Sequence, residues 1–440
     1  MASATGVVIA AALVGIAVAA GFWWALVPVL AVIGVAYFAR AGVEAVLAGV
    51  LIASPIVVGA QRVPFGGIQV WGVVLALLAF ALAYRVLTSW ARGGRFHATT
   101  VDLAAAALFG WLLLSFLLAG SPSVDLRLFA QWTILPFLMY VAGRILFSGT
   151  HPERWSMVAA VSATLAAAEL LVEYRLGRPL FSTASPYEWA GDAYRAGSML
   201  QGPNFAADYF ALSLAAVLPL VGRTHLGRPA AIIALLLPLT YVGTRSISGA
   251  IAMGTALAVL LIARGTWLTR IVIVSLIVLL LSPPVRAAIA EREFFAAHNQ
   301  SIATRGDVIQ SVRIALNQLQ RDPWQLVTGV GYGQWQRIGS QFTVGEASDV
   351  PGQSLENTYL ALLLENGLPA VGLFVTLAAA AMWNGWRRRT DPVRLGAALS
   401  AVVLVIAAGT GTLLVIPQVL GLALFLLPGM YTARPLRTHE

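Results

Sequence analysis

Apolar stretches recur along the chain with short polar interruptions, and many could cross a bilayer, which takes about 17–25 residues per helix. They lie near 22–38, 43–60, 69–90, 100–119, 126–147, 154–174, 201–222, 246–263 and 356–383. Shorter or merged runs lie near 5–20, 229–243, 269–283, 394–408 and 412–430. Together they predict an all-α, polytopic integral membrane protein with about 12–14 transmembrane helices. Pro136 and Pro219, inside two of the runs, read as kinks, because neighbouring helices satisfy the backbone groups that a proline frees. No repeat recurs at a fixed period and no low-complexity linker divides the chain, so residues 1–440 read as one membrane domain. Two polar segments interrupt it, an outer loop at 175–200 and a larger one at 284–355. The larger segment is too long for a structureless connection. From Val308 to Leu319 it mixes apolar and polar residues at helical spacings, which predicts an amphipathic helix lying in the membrane interface.

Composition supports this reading: 59% of residues are hydrophobic and 11% charged, against roughly a quarter charged in soluble domains. There is no cysteine, which excludes disulfides, thiolate metal sites and cysteine nucleophiles. His97, His151, His225, His298 and His439 are scattered without ligand spacing, so no metal site is expected. The net charge of +9 comes from arginine alone. Nucleic-acid binding would need a contiguous soluble basic face, whereas these arginines sit in short loops. The first apolar run has no basic segment before it and leads into another span, so it reads as a helix rather than a cleavable signal peptide.

Arginine in short loops favours the cytoplasmic side. If the spans alternate, Arg92 with Arg95, Arg144 with Arg154, Arg223 with Arg228, Arg264 with Arg270, Arg387–Arg389 with Arg394, and Arg434 with Arg437 fall on one side. The opposite, outward side receives the loops at 175–200 and 284–355, the tight turn around Arg245, and the start of the helix at 356–383.

The outward side carries the candidate chemistry, since a charge near hydrocarbon is costly and marks a site by default. Arg245 sits in Thr244-Arg245-Ser246-Ile247-Ser248-Gly249, between two apolar runs with hardly any loop. Its guanidinium either binds a phosphate bidentately or snorkels to water. Arg305, Arg313 and Arg321 recur every eighth residue, so on one helix they are offset by about 80° per step and cannot all meet one ligand. Arg305, beside the Gly306-Asp307 start signal, is the candidate functional cation; lipid headgroup contact is its alternative. Gly329-Val330-Gly331-Tyr332-Gly333 is either a tightly packed turn or a set of backbone N–H groups for an anion. Arg195 precedes Gly197 and Pro203-Asn204; Asn204 is a helix cap or a ligand. Glu356 begins a helix, where the dipole favours a carboxylate, and it also suits a base that takes a proton from an acceptor hydroxyl. Asn357 follows it, and Glu365-Asn366-Gly367-Leu368-Pro369 predicts a local helix break.

Taken in order, these pieces resemble the O-antigen ligase and O-antigen polymerase superfamily. The resemblance runs from 195 to 372: Arg195 with Gly197, Pro203-Asn204-Phe205-Ala206-Ala207, Thr244-Arg245-Ser246, Arg305 through Gly329–Gly333, and Glu356-Asn357-Thr358-Tyr359-Leu360 with Glu365-Asn366-Gly367-Leu368 to Gly372. It implies a GT-C-like membrane glycosyltransferase with an undecaprenyl-diphosphate-linked glycan donor, a glycan or glycolipid acceptor, and neither cofactor nor metal. It also implies a multi-pass protein of the bacterial inner membrane whose active site faces outward. By position, Arg245 and Arg305 hold the diphosphate, Arg195 assists, and Asn204, Arg313, Gly331, Tyr332 and Asn357 contribute to substrate binding. Glu356 stands where the ligases carry histidine, which points to a polymerase ahead of a ligase. Two readings from other classes are a glycan or lipid transporter, with Glu169, Glu173 and Asp208 as its candidate membrane charges, and a lipid-binding scaffold among polysaccharide-assembly proteins.

Overall fold

The computed structural model describes residues 44–45, 47–52, 78–79, 81–87, 91, 98–118, 126–177, 200, 202–244, 246–263, 267, 270–271, 274, 313, 317, 323–334, 357–410 and 417–431. Its elements are α1 (Thr100–Leu118), α2 (Leu126–Phe129), a π turn (Ala130–Ile134), α3 (Leu135–Leu146), α4 (Glu153–Leu176), α5 (Pro203–Val217), α6 (Gly227–Leu236), α7 (Thr240–Thr244), α8 (Ile247–Ala263), α9 (Pro323–Thr328), α10 (Thr358–Arg387), α11 (Pro392–Thr410) and α12 (Pro417–Leu426). No strand occurs among the described residues. Six segments are long and apolar enough to cross a membrane: Thr100–Leu118, Glu153–Leu176, Pro203–Leu220, Gly227–Thr244, Thr358–Arg387 and Pro392–Gly409. The chain is a polytopic, all-helical membrane protein. The spans expected before residue 98 are described only in part, at 44–52 and 78–91, where every described residue is helical.

α5 lies at the centre. Every residue from Ala206 to Val217 is buried, as expected of a helix that is apolar all round and must be covered on every side. α4, α8, α11 and α12 pack around it. Small residues set the spacing: a Cβ on Gly249 of α8 would run into Ala207 of α5, and one on Gly143 of α3 into the Phe425 carbonyl of α12. Close backbone approach at small residues substitutes for the hydrophobic driving force that lipid surroundings remove.

One end of the bundle gathers basic loops. Arg144, at the end of α3, contacts Asp102 at 3.2 Å and lies over the Tyr431 ring. Arg223 donates to the Thr390 carbonyl at 3.5 Å, and Arg394 pairs with Asp391 at 3.4 Å. Gly429 packs beside Val393 and Ala397, which ties the Tyr431 corner to the α10–α11 turn. Arg144, Arg223 and Arg394, assigned to one side from the sequence, therefore share one end of the fold.

Candidate functional site

The opposite end is organised around the end of α11. Ala216 of α5 touches Gly396 of α11, while Arg223 beyond α5 reaches Thr390 before α11, so the two helices run antiparallel. Followed in that register, Asn204 at the start of α5 comes level with Ala408. Asn357, the N-cap of α10, donates from Nδ2 to the Gly409 carbonyl at 3.0 Å. Two candidates far apart in sequence thus reach the same end of one helix.

Asn204 is not the cap of α5. That position belongs to Gly202, which makes no side-chain capping bond, and Pro203 fits the first turn because its missing N–H has no partner to lose there. Asn204 instead accepts through Oδ1 from the Ser246 hydroxyl at 2.9 Å. Ser246 also shares a 2.8 Å hydrogen bond with Ser248 and accepts from the Gly249 N–H at 3.3 Å. The close contact of Gly249 with Ala207 holds these groups together. Asn357 has a structural role besides: its Oδ1 accepts from the Leu360 N–H at 3.0 Å, an N-cap bond that satisfies one of the unpaired donors of the first turn.

The break expected at Glu365–Pro369 falls on Gly367, whose φ is 77°. Its consequence is larger than a kink. As one straight helix, residues 357 to 385 would span about 42 Å, yet they flank residues 396 to 409, which cover about 20 Å. Tyr359 and Phe374 would stand about 22 Å apart along such a helix, but their rings are edge to face at 5.8 Å. The first turns of α10 therefore fold back at Gly367 towards the membrane-crossing part, and Tyr359 donates to the Val405 carbonyl of α11 at 2.8 Å.

The glycine-rich turn closes this break. Gly329, Gly331 and Gly333 all have left-handed φ, at 72°, 108° and 70°, which explains their alternation. Val330 N–H donates to the Leu364 carbonyl at 2.8 Å and Gly331 N–H to the Glu365 carbonyl at 3.0 Å. Gly333 N–H reaches the Glu365 carboxylate at 3.2 Å. From α1, Trp111 donates to the Asn366 carbonyl at 2.7 Å. Carbonyls freed by the interrupted helix are thus matched by donors of the turn, as buried backbone requires. The turn spends these N–H groups on α10, so tight packing is what its glycines do here. Tyr332 is also a joint: its hydroxyl lies 2.6 Å from that of Thr133 in the π turn, and its ring packs edge-on to Phe129 and Phe116. Burial pushes the Tyr332 phenol above the usual tyrosine range.

Arg313 is an exposed helical residue. Arg195, Arg245, Arg305 and Glu356 lie outside the described residues, as do the loop at 175–200 beyond Gly177 and Leu200 and most of 284–355. Ser246 and Asn357 are the chain neighbours of Arg245 and Glu356. Among the described residues no group of three or more His, Cys, Asp or Glu side chains could hold a metal ion. Trp111 and Thr133 escaped the reading of the sequence, because a lone Trp or Thr in an apolar run gives no sign of a distant carbonyl or hydroxyl. In comparisons with known proteins, no family model and no curated protein matches the chain.

Proposed function

We propose that this chain is an integral-membrane glycosyltransferase that moves a glycan from an undecaprenyl-diphosphate carrier to an acceptor sugar hydroxyl, as a polysaccharide polymerase. The observation that carries the reading is the ordered set of motifs from Arg195 to Gly372. Further support comes from the end of α11, where the chain neighbours of Arg245 and Glu356 take part in one rim: Ser246 through Asn204, and Asn357 through Gly409. An apolar crevice lined by Leu108, Leu112, Phe137, Leu362, Phe374 and Leu420 suits the hydrocarbon part of a lipid-linked donor.

In this reading Glu356 takes the proton of the acceptor hydroxyl as its oxygen attacks the anomeric carbon. The bond from that carbon to the diphosphate breaks, and the electron pair leaves with the diphosphate, held by Arg245 and Arg305 with help from Arg195. A single displacement of this kind inverts the anomeric centre. The positive-inside rule turns the arginine-bearing end to the cytoplasm and the rim outward, across a bacterial inner membrane. Ligation of O-antigen to lipid A-core is the second reading, favoured by the same motif order; Glu356 in place of histidine favours polymerisation.

Purified protein given a lipid-linked repeat unit should lengthen the glycan and release carrier diphosphate. Glu356→Gln should keep its thermal unfolding midpoint while turnover falls by about 10²–10⁴-fold, the usual contribution of a general base. Wild-type turnover in that variant would remove Glu356 from the mechanism.

A further inference from the structure

The arginines at the basic end of the bundle fall into two groups. Arg144 is held by Asp102, Arg223 by the Thr390 carbonyl and Arg394 by Asp391. Arg387, Arg388 and Arg389, where α10 ends, put three positive charges side by side and pair with no carboxylate among the described residues. The nearest acid in the sequence, Asp391, is committed elsewhere. Its Oδ1 accepts from the N–H groups of Val393 and Arg394 at 2.9 and 3.3 Å, and its Oδ2 faces Arg394 Nε. Indoles hold two of the three arginines instead: the Arg387 guanidinium lies over the Trp383 ring at 4.6 Å and that of Arg389 over the Trp386 ring at 5.1 Å. A ring fixes a guanidinium in place without cancelling its charge, and it leaves N–H donors for an oxygen acceptor.

Their position decides what these charges meet. From the break at Gly367 to Arg387, α10 covers about 30 Å, the thickness of the hydrocarbon core of a bilayer, so the run emerges at headgroup depth. Trp is at home at that depth. Leu368, Val375, Ala379, Trp383 and Arg387 are all exposed and recur at helical spacing, which places them along one face of α10. In a membrane-crossing helix such an apolar face meets lipid chains, and here it leads directly to Arg387. The helix dipole favours cations at this end, and topology favours them in a cytoplasmic loop. Neither requires that two of them be held over indoles at the head of a lipid-facing stripe.

We propose that Arg387, Arg388 and Arg389, with Trp383 and Trp386, form a binding site for an anionic phospholipid, whose phosphate meets the guanidinia while its chains lie along the exposed face of α10. Guanidinia bind phosphate oxygens through paired N–H groups, and the apolar face below them selects a lipid over a soluble phosphate. Such a site works in either leaflet and independently of glycosyl transfer. Native mass spectrometry of the delipidated full-length protein, given equal amounts of phosphatidylglycerol and phosphatidylcholine in detergent, reads it. Phosphatidylglycerol should be retained in preference by about tenfold, the order expected of two or three basic side chains beside an anionic headgroup. Arg387→Gln, Arg388→Gln and Arg389→Gln together should bring the two lipids to parity. Trp383→Leu keeps every charge and alters an exposed position, and should lower the preference by about threefold as Arg387 loses its ring. Arg154→Gln with Arg228→Gln, two exposed arginines assigned to the same side, should leave it unchanged. Equal retention of the two lipids by the unaltered protein would overturn the proposal. So would a preference that survives the triple replacement, is unmoved by Trp383→Leu, or falls as far in the Arg154 and Arg228 double variant. Displacement of the lipid by inorganic phosphate would assign the site to a soluble anion, and a dimer that retains no lipid would assign the face to a second copy; either result also overturns it.

Discussion

Asp102 has the most heavily used side chain at the arginine-bearing end. It accepts from the Thr99 N–H at 2.9 Å and the Thr99 hydroxyl at 2.6 Å, from Tyr140 at 2.7 Å and from Arg144 Nε at 3.2 Å. Its own N–H donates to Thr99 Oγ1, so Thr99 and Asp102 form a reciprocal cap on α1 in the manner of a capping box. Asp102→Ala removes the carboxylate shared by Thr99, Tyr140 and Arg144 and should cost about 1–3 kcal/mol, read as a lowered denaturation midpoint in detergent. Tyr332 is the corresponding residue at the other end. Because its phenol pKa is raised by burial, its contribution is complete below the ordinary tyrosine value of about 10. It is lost only as pH climbs through the higher native value. Tyr332→Phe should destabilise the protein by about 0.5–1.5 kcal/mol, and ultraviolet titration should show one slow-ionising phenol fewer in that variant. The sequence marks Arg144 as a topological charge and Tyr332 as part of a turn; their partners Asp102 and Thr133 come from other helices, and only folding pairs them.

At the scale of elements, α10 departs most from what its apolar pattern predicts. Apolar residues flank Glu365-Asn366-Gly367 on both sides, because both limbs are buried against neighbours and periodicity reports burial rather than direction. The signal for a break was legible in Glu365-Asn366-Gly367-Leu368-Pro369, but the folding back was not, since it depends on the glycine turn and on Trp111 supplying donors. Gly367→Ala places a side chain at a left-handed φ and against the Val327 carbonyl. The backbone conformation alone costs about 1–3 kcal/mol, so this variant should unfold at lower temperature and expose the 323–334 segment to protease. Trp111→Phe leaves the Asn366 carbonyl without its donor and should cost about 1–3 kcal/mol, with a smaller gain in protease sensitivity. The π turn at Ala130–Ile134 had no sequence signature. The apolar pattern predicts one continuous span over 126–147, within which the π turn presents Thr133 to Tyr332.

For the whole molecule, the absence of cysteine makes the orientation directly measurable. With the arginine-bearing end in the cytoplasm, Arg389→Cys in intact cells stripped of their outer layers should react with a membrane-impermeant maleimide only after permeabilisation. Gln334→Cys should react without it. The reverse pattern would place the rim on the cytoplasmic side and remove the outward-facing reading of the site. The sequence by itself determined that the chain is helical and crosses a membrane repeatedly, because apolar length and the cost of unpaired backbone in lipid leave few alternatives. It also located the segments around Asn204, Ser246 and Asn357, since polar residues between apolar runs are conspicuous. Tertiary structure decided which of these segments meet, that α10 folds back at Gly367, and that Asp208 ends buried without a hydrogen-bond partner. Those outcomes depend on helix register and on close contacts at single glycines, where one residue's shift changes which oxygens face each other, and no local pattern in the chain encodes that distance.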